Sequence, residues 1–432
     1  MKKTQRYFFI FWLMVISIYI YVAYLLWMDH SITRKISAGN ININTDFDLN
    51  TMPGLVSKPL AKALLINSTN VKSDNQVMIS ISNEYTKRRP LDPQGWYWLS
   101  LYNDRVGNRQ KAIDNLNVSL ILSKNNSRML MRIFNLHLKL GLIDQAMLVA
   151  NDLVFADPQE FRKIFYLLTR LNSNYSEVVK TVIPSIVPVH RAHPKEMYFK
   201  WALNDAVRAN NELLAKAVWE NIPSDLKLGS SFGMRYLRYL SGRQIEYDGI
   251  ARVWQNLTGQ TVLKGQIGNS GFEELDMPVS PCWEVIETQG VKWGQSSKSF
   301  KGQKSLMVSF DGEKNIHYSH LKCLILVDAG EVYTLQGMWA GESVSTLSGP
   351  FVDIHTPGPD NLYARSKALV GDWSWTKFEI EFHVPLDVSV VQIRIRRNKT
   401  NSLDNKLSGR VWFDDFQLIK KNTESSINKK VE

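Results

Sequence analysis

Between Gly268 and Lys420 the chain alternates apolar with polar residues in short runs, and that period of two fixes more about the fold than any other feature. Ser305-Leu306-Met307-Val308-Ser309-Phe310, Val332 to Gly337, Phe378 to Phe382 and Gln392-Ile393-Arg394-Ile395-Arg396 each place every second side chain on one face. That is the pattern of strands buried on one side. Gly, Pro, Asp and Ser clusters punctuate the runs, as turns require. About eight to ten short strands with one wet face predict an all-β jelly-roll sandwich over residues 265–421 and exclude a helical bundle there. Parity sends Tyr333, Leu335 and Trp339 into the core with Ile393 and Ile395. It leaves Gln336 on one outer face and Gln392, Arg394 and Arg396 outward on their own strand.

Several motifs in this stretch keep a common order: the opening Gly271-Phe272-Glu273, Gly302-x-x-Ser305-Leu306, Gly330-x-x-Tyr333-x-Leu335, Trp375-x-x-Phe378-x-x-x-Phe382-x-x-Pro385, and the closing Trp412-x-Asp414-Asp415-x-x-Leu418. Together they resemble the jelly-roll carbohydrate-binding modules appended to bacterial cellulases and xylanases, over roughly a third of the chain. The resemblance implies glycan binding. It also implies a structural calcium held by Glu273 and Asp415, since calcium takes carboxylate and carbonyl oxygens and such a site would pin the first strand to the last. Solvent-facing acids at the sheet ends are the alternative. A polar face with Gln336, Gln392, Arg394 and Arg396 suits sugar hydroxyls or uronate carboxylates. Trp373, Trp293 and Tyr363 sit in turn-like stretches where a ring could stack on a pyranose or plug the core, and Trp373 is taken as the binding aromatic.

Upstream, Trp96, Leu99, Gly107, Ala112 and Leu116 recur 34 residues later as Leu130, Ile133, Gly141, Ala146 and Ala150. The offset resembles that of tetratricopeptide repeats. Small Ala112 and Ala146 would let antiparallel helices approach, and Gly107 and Gly141 would supply the turns. Looser hairpins follow at Tyr198 to Trp219 and Tyr236 to Trp254, with Ile183-Pro184 and Val187-Pro188 interrupting. An all-α, tetratricopeptide-like solenoid is therefore expected over residues 58–264, its groove suited to a protein partner. A plain spacer is the alternative.

Tyr7 to Trp27 is 21 positions without a charge, preceded by Lys2, Lys3 and Arg6. Its length and flanks predict one uncleaved transmembrane helix over 7–27. The chain would then run as a cytoplasmic stub (1–6), this anchor in a bacterial inner membrane, a tether (28–57), the two domains in the periplasm, and a tail (422–432). The formal charge of +11 lies N-terminal: residues 265–421 hold 17 Lys or Arg against 19 Asp or Glu. A basic helical half could face anionic lipid or an acidic partner, or be simply solvated. Nucleic acid is not expected as a partner. Cys282 and Cys323, the two cysteines present, both fall in the sandwich, so in an exported domain a disulfide is expected; two buried thiols are the alternative.

No enzyme motif is found: there is no His-Glu-x-x-His, no Gly-x-Ser-x-Gly and no phosphate-cradling loop. His190 with His193, and His317 with His320, read as surface histidines rather than zinc ligands. Asp414 and Asp415 point to opposite sides of a strand and cannot share one glycosidic bond. The sequence thus predicts a non-catalytic, membrane-anchored periplasmic scaffold that binds polysaccharide and envelope proteins in exopolysaccharide or capsule production. A pure protein-interaction scaffold, with a jelly roll that binds no sugar, is the alternative.

Overall fold

The 34-residue offset becomes a repeated helix turn. α2 (Pro93–Arg105) packs on α3 (Arg109–Leu122), and α4 (Ser127–Lys139) on α5 (Ile143–Ala156). Gly107 (φ +82°) and Gly141 (φ +72°) occupy the left-handed region that closes the first helix of each pair. Asn108 N–H then bonds the Asn103 carbonyl at 2.8 Å, and Leu142 N–H bonds that of His137 at 2.9 Å, the same bond one repeat on. Ala112 and Ala146 are fully buried. Close approach at Ala112 lets Ser100 Oγ of α2 donate to its carbonyl at 2.7 Å. The caps repeat as well: Asp92 accepts from Gln94 N–H and Asn126 from Met129 N–H, satisfying donors that a helix start leaves open. α1 (Asn75–Arg88) precedes these pairs, and α6 (Phe161–Leu171) and α7 (Tyr175–Val182) follow.

This computed structural model describes residues 14–24, 27, 75–184, 195–244, 247–274, 282–358 and 361–421. The expected stub, tether and tail, His190, His193 and Val187-Pro188 lie outside them. Of the expected membrane anchor, residues 14–24 and 27 are described as helical. Among the described residues no helix is long and apolar enough to cross a membrane. The expected single-pass inner-membrane placement is corrected accordingly.

The chain divides into two units, residues 1–198 and 199–432. The division falls within α8 (Lys195–Arg208) and groups α9 (Glu212–Asn221), the short α10 (Ser224–Lys227), α11 (Ser231–Gly242) and α12 (Tyr247–Thr258) with the strands. Within that second unit, Gln244 after α11 joins the sandwich directly: its Oε1 accepts from Ser389 N–H at 3.0 Å and its Nε2 donates to the Val390 carbonyl at 3.1 Å.

Among the described residues, ten strands form two five-stranded antiparallel sheets. The first is ordered β1-β4-β9-β6-β7, from Glu284–Val285, Tyr318–Leu326, Val390–Arg397, Phe351–His355 and Leu362–Arg365. The second is ordered β2-β3-β10-β5-β8, from Val291–Ser296, Ser305–Asp311, Ser408–Lys420, Val332–Val344 and Gly371–His383. The sequence-predicted sandwich is present, with Tyr333, Leu335, Trp339, Ile393 and Ile395 in its core as parity required. Cys282 and Cys323 are disulfide-bonded, tying the segment before β1 to β4.

Candidate functional site: the outer face of the first sheet

β9 lies at the middle of the first sheet, so its outward side chains have neighbours on both sides. The pleat that buries Ile393 and Ile395 turns Gln392, Arg394 and Arg396 to the opposite face, where Gln392 and Arg394 are nonetheless buried, 9% and 8% exposed, and Arg396 is half-buried. Register then supplies what the sequence reading missed. β6 places Asp353 directly opposite Arg394, and opposed residues of an antiparallel pair share a face. Arg394 Nε donates to Asp353 Oδ1 at 2.8 Å and its Nη2 to Oδ2 at 3.0 Å, the two-pronged geometry a guanidinium offers a carboxylate. Arg396 Nη1 donates to the same Oδ2 at 3.1 Å.

Asp353 is only 1% exposed, so its charge is compensated almost wholly by these guanidiniums. Lys322 of β4 is the register partner of Arg394, and Arg365 of β7 that of Asp353. Glu284 of β1 is in turn the register partner of Lys322, so four cations stand on this face with two carboxylates, Asp353 and Glu284. The field of the cations is felt by His317, whose imidazole is held below its ordinary range first by burial and then by Arg396, Lys399 and Arg394. Arg396 gives one further bond, from Nη2 to Asn398 Oδ1 at 3.3 Å, while its buried Nε has no hydrogen-bond partner among the described residues. Chemically, the face offers guanidinium donors and net positive charge to an anionic, oxygen-rich ligand.

The five residues expected to bind glycan are not brought together. Gln336 lies on β5 of the second sheet, and its amide donates to Gln417 Oε1 at 2.9 Å. Trp373, on β8 of that same sheet, is half-buried; it packs edge-on against Trp339 with ring centres 6.3 Å apart and bonds the Val370 carbonyl. Its ring serves as a core plug, because a register shift in β8 turns it inward. Tyr363 is half-buried against the core, whereas Trp293, on edge strand β2, is 40% exposed.

The expected calcium carboxylates are also rearranged. Glu273 Oε1 accepts from Gln303 and Lys304 N–H at 3.0 and 3.2 Å. The closing-strand carboxylate on this same loop is Asp414, fully buried, whose Oδ2 accepts from Phe300 and Lys301 N–H at 2.8 and 3.0 Å. Asp414 Oδ1 and Glu273 Cγ both come within 4 Å of where a Cβ on Gly271 would stand. Asp415, at φ +46° in a bulge, faces Lys301 Nζ at 3.3 Å and Gln417 instead. Two hard-oxygen side chains thus flank the loop, which suits calcium if backbone carbonyls complete the shell. Among the described residues no group of three or more His, Cys, Asp or Glu is placed to hold a metal ion.

No family model matches the chain, and no curated protein matches it. The β region has solved structural neighbours among carbohydrate-binding modules. A CBM4 structure is 18% identical with a TM-score of 0.27, covering 36% of this chain and 100% of that one. The carbohydrate-binding module CBM6cm-2 from Cellvibrio mixtus lichenase 5A, in complex with cellotriose, is 10% identical with a TM-score of 0.22, covering 32% and 93%. The CBM22-1-CBM22-2 tandem from Paenibacillus barcinonensis Xyn10C is 17% identical with a TM-score of 0.26, covering 37% and 47%. All three fall below a TM-score of 0.5, and no residue role is carried over from them.

Proposed function

We propose that this protein is a non-catalytic carbohydrate-binding protein whose sandwich takes an acidic glycan across the outer face of the first sheet. The observation that carries this reading is the Arg394–Asp353–Arg396 cluster. One guanidinium is committed to the buried carboxylate; the second is only partly used and stands among further cations. A uronate carboxylate could accept from the half-buried Arg396 while its hydroxyls meet the half-buried Lys322. Binding rather than catalysis is supported by the commitments of the carboxylate at the centre of the face, since both Asp353 oxygens already accept from guanidinium N–H groups. A structural calcium at Glu273 and Asp414 forms part of the proposal.

The helical units would act as tetratricopeptide-like platforms for protein partners, and a role in exopolysaccharide or capsule production joins the two activities. The regular turn at Gly107 and Gly141 supports this part, because stacked identical turns generate the extended surfaces that repeat proteins use. A second reading, a scaffold whose sandwich contacts only protein, draws on the same helices.

A glycan array probed with the full chain separates them. Polyuronates should be retained over neutral polymers, and Arg396→Gln should reduce retention at least tenfold and flatten its salt dependence. Equal retention of neutral and acidic polymers, or none of either, would remove the acidic-glycan reading.

A further inference from the structure

Three helices of the second unit enclose a groove of about 820 Å³, and each gives it one stripe of its surface. α9 supplies Glu212, Lys216 and Glu220 to one wall, and α12 supplies Asp248, Arg252 and Asn256 to the other. Residues four apart share a helix face, which is why each set forms a row. The floor between the rows is Trp219 of α9, Tyr236 and Leu240 of α11 and Val253 of α12, all four buried. Lys227 of α10 closes the groove beyond Glu220, with its ammonium 5.3 Å from the centre of the Trp219 ring.

Two contacts set the direction of the walls. Arg243, which follows α11 and closely precedes α12, pairs at 3.6 Å with Glu212 at the start of α9. At the other end, Gly229 N–H, in the turn after α10, donates to the Leu257 carbonyl of α12 at 2.9 Å. α9 and α12 therefore run the same way. Along the groove the charges follow one order, acid then base on both walls, with a second acid on α9 and the neutral Asn256 on α12. Each step is one helical turn, about 6 Å.

Opposite charges at this spacing on one helix favour pairing, as Glu84 and Arg88 of α1 do at 2.8 Å. Among the described residues, Lys216 pairs with neither Glu212 nor Glu220, and Asp248 does not pair with Arg252; these side chains line the groove instead. The floor adds a donor. The Tyr236 hydroxyl makes no hydrogen bond among the described residues, yet it is not sealed from solvent, so it opens onto the cavity that its residue lines. Burial first, and then Glu220 and Glu212, oppose its ionisation, which places the hydroxyl in the field of both acids of the α9 wall.

The form of the occupant follows from the walls. Helices have their backbone groups already paired, so they offer no ladder to an extended strand, whereas a docking helix brings its own hydrogen bonds. Its charges must oppose those of the walls at the same rise per turn. We infer that this groove docks an amphipathic helix of a protein partner, whose flanks read base, acid, base at four-residue spacing beside an apolar stripe. The pattern is the same read from either end, so both orientations of the helix satisfy it. The inference rests on the reading of the helices as a platform for protein partners and names its site; the ligand of the sandwich does not enter.

The test is fluorescence anisotropy of the full chain with two labelled synthetic helices of about 15 residues, the length at which an isolated helix begins to hold. Both carry a leucine stripe; at four-residue spacing the flanks of one read Lys, Glu, Lys and those of the other Lys, Lys, Lys. The native chain should bind the Lys-Glu-Lys peptide at least tenfold more tightly, with the difference shrinking as salt is raised. Lys216→Glu combined with Arg252→Glu, both at exposed positions, should reverse the preference while leaving the denaturation midpoint unchanged. The proposal is overturned if the native chain binds both peptides alike or if the double variant keeps the native preference. In those cases peptide binding persists, so the platform reading stands and only this groove is lost. Binding of neither peptide by either protein would overturn the groove and count against the platform as well.

Discussion

Asp353 and Arg394 are cross-strand register partners joined by two parallel N–H···O bonds of 2.8 and 3.0 Å, with the carboxylate almost wholly removed from solvent. Removing one member of such a pair leaves the other charge buried and uncompensated. Asp353→Ala is expected to cost about 3–5 kcal/mol of stability. Denaturant unfolding of the full chain measures it, and a loss below about 1 kcal/mol would mean that water reaches the guanidiniums once the acid is gone.

The loop between Ser299 and Lys304 is held to the closing strand by Asp414, which accepts three backbone N–H bonds, from Phe300, Lys301 and Asp415. Asp414→Asn turns one acceptor oxygen into a donor and should lose about 1–3 kcal/mol with or without metal. If calcium also binds there, it should add about 3 kcal/mol at a hundredfold excess over its dissociation constant. That increment should vanish in Asp414→Asn but largely survive in Asp415→Asn, whose carboxylate faces Lys301. Identical melting temperatures in calcium and in chelator would remove the ion and leave the hydrogen-bonded latch.

His137 in α4 is 1% exposed, and its Nδ1 bonds the Ile133 carbonyl at 3.0 Å. Burial holds its imidazole below the ordinary value of 6.5, with the carbonyl bond opposing in part. The unfolded chain therefore binds this proton more readily than the folded one, and stability should decline as the pH falls below about 6.5. Comparing unfolding at pH 7.5 and 5.5 for the native chain and His137→Gln isolates the residue. The variant should show the smaller decline, and equal declines would assign the effect elsewhere.

The Cys282–Cys323 disulfide closes a loop of 41 residues. Chain entropy alone predicts about 4 kcal/mol of stabilisation for a loop of this size. Replacing both residues with alanine should lower the denaturation midpoint by a corresponding amount. Mass mapping under alkylating conditions gives an independent check, since two free thiols in the native protein would contradict the bond.

The legible parts of this molecule were those set by local chemistry. Gly107 and Gly141 mark turns because each needs a positive φ, and the alternation through Leu335 and Ile393 marks strands because one face of each is dry. What the sequence hid was non-local. Nothing near Gln336 says that its strand belongs to the other sheet from Gln392 and Arg394, since strand order is decided by pairings far along the chain. Asp353 was hidden for the same reason: it is one acid in the otherwise apolar run Phe351-Val352-Asp353-Ile354, and only the register with β9 gives it partners. A single acid in a buried strand, beside an Arg-x-Arg strand elsewhere, was the signal available. Gln244, bonded to Ser389 and Val390 at sequence separations of 145 and 146, left no local trace at all.

The second sheet is completed by β10, residues 408–420, which lies between β3 and β5 rather than at an edge. On the ribosome, β3 and β5 therefore emerge long before the strand that separates them, and each shows an open row of amides and carbonyls in the meantime. Pairing these two strands directly would be a misfold, because it would shut out the strand that carries Phe413, Asp414 and Phe416. Nascent chains stalled before Ser408 should consequently cross-link to holding chaperones, whereas release after Lys420 should end that contact, making the last strand the timer of the domain's birth.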